Sequence, residues 1–78
     1  YYSSSISYFT AANGFSLTGT DDGNIINACI IKDNNGYGVS IDNANCDDNV
    51  ITSNVITGNL VGTVSDSGTG TVNANHAT

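Results

Sequence analysis

The stretch NVITSNVITGNLVG, residues 49–62, carries an asparagine every five positions, at Asn49, Asn54 and Asn59, and follows each with two aliphatic residues. Five is neither the period of a helix nor the two-residue alternation of a long strand. A three-residue strand followed by a two-residue corner does have that period, since Asn, Gly and Asp bend a backbone at little cost. The same spacing occurs one block earlier. NIINACIIKDNNGYGVSI, from Asn24, aligns with NVITSNVITGNLVGTVSD, from Asn49, at a constant offset of 25: Asn24 with Asn49, Ile26 with Ile51, Ile31 with Ile56, Asn34 with Asn59, Val39 with Val64. A third copy starts at Ser7, where SYFTAANGFSLT aligns with CIIKDNNGYGVS at an offset of 22, pairing Phe9 with Ile31, Asn13-Gly14 with Asn35-Gly36, Phe15 with Tyr37 and Leu17 with Val39.

Self-similarity at a period of about 20–50 residues is the mark of a stacked repeat. The expected organisation is three units, 1–23, 24–48 and 49–72, each made of short strands broken by Asn, Gly and Asp, with residues 73–78 as a tail. Phe9, Leu17, Ile26, Ile31, Val39, Ile51, Ile56 and Val64 are expected to point inward, each above its counterpart at the strand spacing of about 4.8 Å. Asparagines at matching corners are expected to form amide ladders. Phe15 and Tyr37, equivalent at the offset of 22, are expected to stack.

Composition narrows the function classes. The 78 residues include no Pro, Met, Trp, Arg, Glu or Gln, and the formal charge of −6 comes from seven Asp against Lys32 alone. That balance argues against phosphate backbones and anionic membranes as partners. Hydrophobic residues at 38% and charged residues at 10% do not match the composition of a disordered chain. No apolar run reaches the roughly 18 residues of a membrane span, and a start at Tyr1 suggests a piece of a longer polypeptide. Cys29 and Cys46 lie 17 positions apart. They lack the spacing of a structural zinc site and read as two small buried thiols, with one disulfide as the alternative.

The repeat resembles that of the right-handed parallel β-helix family, N-x-I-x-x-N-x-I-x-x-N followed by G-[IVY]-x-[IVL]. The matching residues are Asn49, Ile51, Asn54, Ile56, Asn59 and Val64, and one unit earlier Asn24, Ile26, Ile31, Asn34, Gly36, Tyr37, Val39 and Ile41. The resemblance implies an all-β fold, a right-handed parallel β-helix or solenoid of about three coils. The family holds polysaccharide lyases, hydrolases, epimerases, phage tailspikes and surface proteins. The closing segment also resembles the last coils of phage tail fibres and tailspikes, which implies an extracellular or virion location and a structural, non-enzymatic role with carbohydrate contact. The expected partners are the remainder of a parent chain or identical subunits, as a trimer or an end-to-end stack, since an exposed last coil leaves unpaired backbone.

The alternatives are the non-catalytic end of a polysaccharide-processing enzyme, and a carbohydrate- or calcium-binding module of a cell-surface protein. A lyase of this family needs a basic residue to take a proton. Arg is absent, Lys32 reads as solvated, and His76 lies three residues from the end. The one acidic grouping is the pair of doublets Asp21-Asp22 and Asp47-Asp48, each just ahead of a repeat. Placed on one edge, these four offer oxygen ligands for calcium or the carboxylate pair of a glycosidase. The competing expectation is turn chemistry, since Asp bonds readily to nearby backbone.

Overall fold

A computed structural model describes residues 2, 3, 6 to 8 and 12 to 77, with side-chain surroundings from 12 to 76. Nine strands follow one another: β1 (Tyr2–Ser3), β2 (Ile6–Tyr8), β3 (Phe15–Leu17), β4 (Ile25–Asn27), β5 (Ile30–Lys32), β6 (Tyr37–Ile41), β7 (Val50–Thr57), β8 (Gly62–Asp66) and β9 (Val72–Ala77). No helix occurs among the described residues. Every pairing between strands is parallel, in a six-stranded sheet ordered β1-β4-β7-β5-β2 with β9 also on β7, and a three-stranded sheet ordered β3-β6-β8. The chain is therefore all-β and parallel. The hydrogen-bonded ladders make two small parallel sheets where the repeat led to the expectation of a right-handed parallel β-helix solenoid of about three coils, because the bends at 33–36 and 58–61 separate β5 from β6 and β7 from β8.

Register follows the 25-residue offset. Ile26 lies beside Ile51, Ile31 beside Ile56, Val39 beside Val64 and Ser40 beside Ser65. The long β7 spans two partners, pairing Val50–Thr52 with β4 and Val55–Thr57 with β5. The earlier layer sits at 24 and not 22: Phe15 lies beside Val39 and Leu17 beside Ile41, so the expected stack of Phe15 on Tyr37 does not form. A slip of two residues keeps each side chain on its own face, so the inward set survives the error. Phe9 lies outside the described residues. The segment expected as a tail is instead strand β9, which extends the pairing by one layer on β7.

Ile26, Ile31, Val39, Ile41, Ile51 and Ile56 are fully buried, and with Leu17, Cys29 and Cys46 they make one core between the two sheets. Val64 and Phe15 pack against it half-buried. Each isoleucine removed from water contributes about 1.5–3 kcal/mol. The β-branched residues suit it, since they crowd a helix but fit a pleated surface.

The corners explain the count of five. Positive φ recurs one layer apart at Ala28 (55°) and Ser53 (58°), at Asp33 (57°) and Gly58 (65°), and at Gly23 (63°), Asp48 (57°) and Gly70 (68°). Each such residue precedes or aligns with the residue before a ladder asparagine, so the left-handed kink is built into every repeat. Ala28 is exposed and holds a conformation that costs an L-residue about 1–2 kcal/mol. Glycine recovers that cost but orders a freer unfolded chain by about 0.5–1 kcal/mol. Ala28→Gly is therefore expected to raise the melting temperature by a few degrees, and a fall on calorimetry would contradict the strain.

Gly38 is held by close approach. A Cβ there would lie against the Ile56 side chain and 2.8 Å from the Thr63 carbonyl oxygen, backbone of the next layer. Gly38→Ala is expected to destabilise by about 1–3 kcal/mol, read as a lower thermal midpoint. A variant melting with the parent would mean the sheets are not this close.

Candidate functional site

The acidic doublets are brought to one side of the fold, where they serve the backbone. Asp21 Oδ2 accepts from the Thr18 N–H at 3.0 Å, and Asp22 Oδ1 accepts from the Asp47 N–H at 2.9 Å, one layer on. The Gly23 N–H donates to the Asp47 carbonyl at 2.9 Å, and Asp48 takes the left-handed corner above Gly23. All four carboxylates are exposed. Among the described residues no group of three or more His, Cys, Asp or Glu side chains is arranged to hold a metal ion. One oxygen of Asp21 closes a local turn, and one of Asp22 ties to the backbone one layer on.

The other expected participants are dispersed. Lys32 is exposed in β5, in register with Tyr8 and Thr57. His76 is exposed in β9 beside Val55. Cys29 and Cys46 are buried free thiols, so the disulfide alternative falls. Their S–H groups point to the Asn27 and Gly19 carbonyls at 3.3 and 3.6 Å.

The polar constellation that the fold builds with most care is the asparagine column. Asn49 Oδ1 accepts from the Asn24 N–H at 2.8 Å while its Nδ2 donates to the Asp21 carbonyl at 2.8 Å. Asn54 repeats this on the Cys29 N–H and the Ile26 carbonyl, at 2.8 and 2.9 Å. Asn59 repeats it on the Asn34 N–H and the Ile31 carbonyl, both at 3.1 Å. In every case the side chain bridges an N–H and the carbonyl three residues before it, one layer down. Those are the two backbone groups a left-handed corner turns out of the ladder, at Gly23, Ala28 and Asp33. Among the described residues no buried side-chain N or O lacks a partner.

The expected amide-to-amide ladder is thus mostly an amide-to-backbone clasp. Direct amide links occur at Asn34 with Asn59 (2.9 Å) and Asn54 with Asn75 (2.8 Å). Asn75, which also accepts from the Asn54 N–H at 3.2 Å, was hidden in the supposed tail. Its sequence signal is the short alternation Val72-Asn73-Ala74-Asn75, whose apolar members are exposed and not part of the core.

No protein-family model, no curated protein and no solved structure matches this chain.

Proposed function

We propose that this chain is a run of coils of a right-handed parallel β-helix whose work is structural: a rigid, assembly-forming segment of a larger extracellular or virion-associated protein such as a phage tail fibre or tailspike. The observation that carries it is the clasp, repeated at Asn49, Asn54 and Asn59, in which polar side chains fasten one layer to the one before. The two sheets share one core and the chain visits them in turn, β4 and β5, then β6, then β7, then β8, as successive coils would. Buried polar capacity is spent on stacking, and two of the four candidate carboxylates accept from backbone N–H groups, Asp21 within a turn and Asp22 from the next layer.

Two measurements test the proposal. An experimental structure gives the sense in which the chain passes from one sheet to the other, and a left-handed crossing would overturn the coil. Incubated with acidic polysaccharides, the chain is expected to release no reducing ends. Depolymerisation that disappears in Asp22→Ala or Asp47→Ala would replace the structural role with a catalytic one.

A further inference from the structure

We infer that Asn35 is a site of spontaneous modification: in the folded chain its side chain closes on the Gly36 nitrogen and loses ammonia, gated by a single hydrogen bond between layers, while the other junctions of the same chemistry stay intact. The inference goes beyond the structural role and needs only the paired layers, whatever the sense in which they coil.

Asn or Asp followed by glycine is the junction at which a chain most readily modifies itself, because a residue without a Cβ leaves its nitrogen open to the side-chain carbonyl carbon before it. This chain has three such junctions, Asn13-Gly14, Asp22-Gly23 and Asn35-Gly36. Packing fixes two of the glycines. A Cβ at Gly14 would lie 2.6 Å from both the Gly38 carbonyl oxygen and the Ile31 side chain, and one at Gly36 would strike the Asn13 side chain. The stack thus requires the residues that make these junctions labile.

Ring closure needs two groups to be loose, the glycine nitrogen and the side-chain carbonyl ahead of it. At all three junctions the nitrogen is held from a neighbouring layer: the Gly14 N–H donates to the Tyr37 carbonyl at 3.0 Å, the Gly23 N–H to the Asp47 carbonyl at 2.9 Å and the Gly36 N–H to the Ala12 carbonyl at 3.0 Å. At two of them the side chain is held as well. Asn13 Oδ1 accepts from the Tyr37 N–H at 2.8 Å while its Nδ2 donates to the Ser16 hydroxyl at 3.3 Å, and Asp22 Oδ1 accepts from the Asp47 N–H at 2.9 Å. Asn35 is different. Its side chain is exposed and makes no hydrogen bond among the described residues, so the Gly36 to Ala12 bond alone restrains the reacting pair. Breaking one bond in a surface corner costs far less than unfolding the whole chain. This junction therefore reacts from the native state.

The reaction balances with water as its one co-reactant. The Gly36 nitrogen gives its proton to solvent and bonds to Asn35 Cγ, the bond from Cγ to the amide nitrogen breaks, and ammonia leaves behind a five-membered imide. Water then opens the imide on either side. Cleavage at Cγ yields aspartate, and cleavage at the backbone carbonyl yields isoaspartate, with the main chain rerouted through Cβ and Cγ. The second product lengthens the backbone between β5 and β6, where the Asn34 and Gly36 carbonyls accept from the Leu60 and Val61 N–H groups at 2.9 and 3.1 Å, and so strains the tie to the next layer.

The test compares the junctions within one molecule. Folded chain and chain in urea are incubated side by side at mildly alkaline pH, each junction is followed by peptide mapping with mass spectrometry, and isoaspartate is read by enzymatic methylation. In urea Asn13 and Asn35 are expected to convert at similar rates, since both precede glycine. In the folded chain Asn35 is expected to convert about tenfold or more faster than Asn13, with Asp22 unchanged. Asn35→Ser, which lacks the carboxamide, is expected to abolish the mass gain of the folded chain. Equal rates at Asn13 and Asn35 in the folded chain, a faster Asn13, a folded Asn35 that stays intact while the urea sample is consumed, or a mass gain that persists in Asn35→Ser overturns the inference.

Discussion

Asn54→Ala is expected to remove about half of the chain's folding stability and to lower its thermal midpoint more than any other asparagine substitution. The side chain is 1% exposed. Its loss strips the Cys29 N–H and the Ile26 carbonyl of their partners inside the fold, and takes one bond from Asn75. A buried group left unsatisfied costs about 1–3 kcal/mol. Two such groups cost about 2–6 kcal/mol, against a total stability of only about 4–12 kcal/mol for a domain of this length. Asn49→Ala and Asn59→Ala remove clasps that are part-buried, where water replaces some of the loss, and are expected to melt between Asn54→Ala and the parent. Far-UV circular dichroism against temperature reads all three. An Asn54→Ala chain melting within a couple of degrees of the parent would mean that the column is decoration.

The second large effect is a contrast between neighbours in sequence. Ile56 is fully buried, faces Ile31 and touches the Gly38 approach, whereas Val55 is 41% exposed on the other face of the same strand. Ile56→Ala removes apolar volume from a core bounded by two sheets and is expected to cost about 2–5 kcal/mol. Val55→Ala is expected to cost less than about 1 kcal/mol, as for a side chain that is mostly outside the core. Chemical denaturation of both variants tests the register directly. Equal losses would place Val55 inside and shift the strand by one.

Residues 24 to 66 were legible because their columns repeat the same chemistry: Ile over Ile, Val over Val, Ser over Ser, Asn over Asn or a backbone corner. The first layer misled because Asn13-Gly14 and Asn35-Gly36 look alike, as do Phe15 and Tyr37. The backbone ladders instead place Tyr2 beside Ile26, Ile6 beside Ile30 and Phe15 beside Val39, and so move the register from 22 to 24. Chemical likeness lost to backbone pairing. Strand β9 was illegible for a different reason. The alternation Val72-Asn73-Ala74-Asn75 is short and its apolar members are exposed, and the strand's order comes from backbone pairing with β7 and from the Asn75 side chain. For the acidic doublets, nearness in space was foreseeable from the repeat, but the partner of each carboxylate was not. A carboxylate beside an unpaired N–H is captured by it, and only coordinates reveal which N–H groups a corner has exposed.

The constant spacing of 25 between the second and third layers has a consequence for how such a molecule changes length. In the coil proposed above, a tandem duplication of residues 24–48 would insert a whole storey whose clasps, kinks and inward aliphatics meet their counterparts above and below, lengthening the body by about 4.8 Å. Deleting one residue inside β7 would instead turn every later side chain to the opposite face. Genes for chains of this kind can therefore gain or lose whole modules freely while tolerating almost no frame of slippage within one.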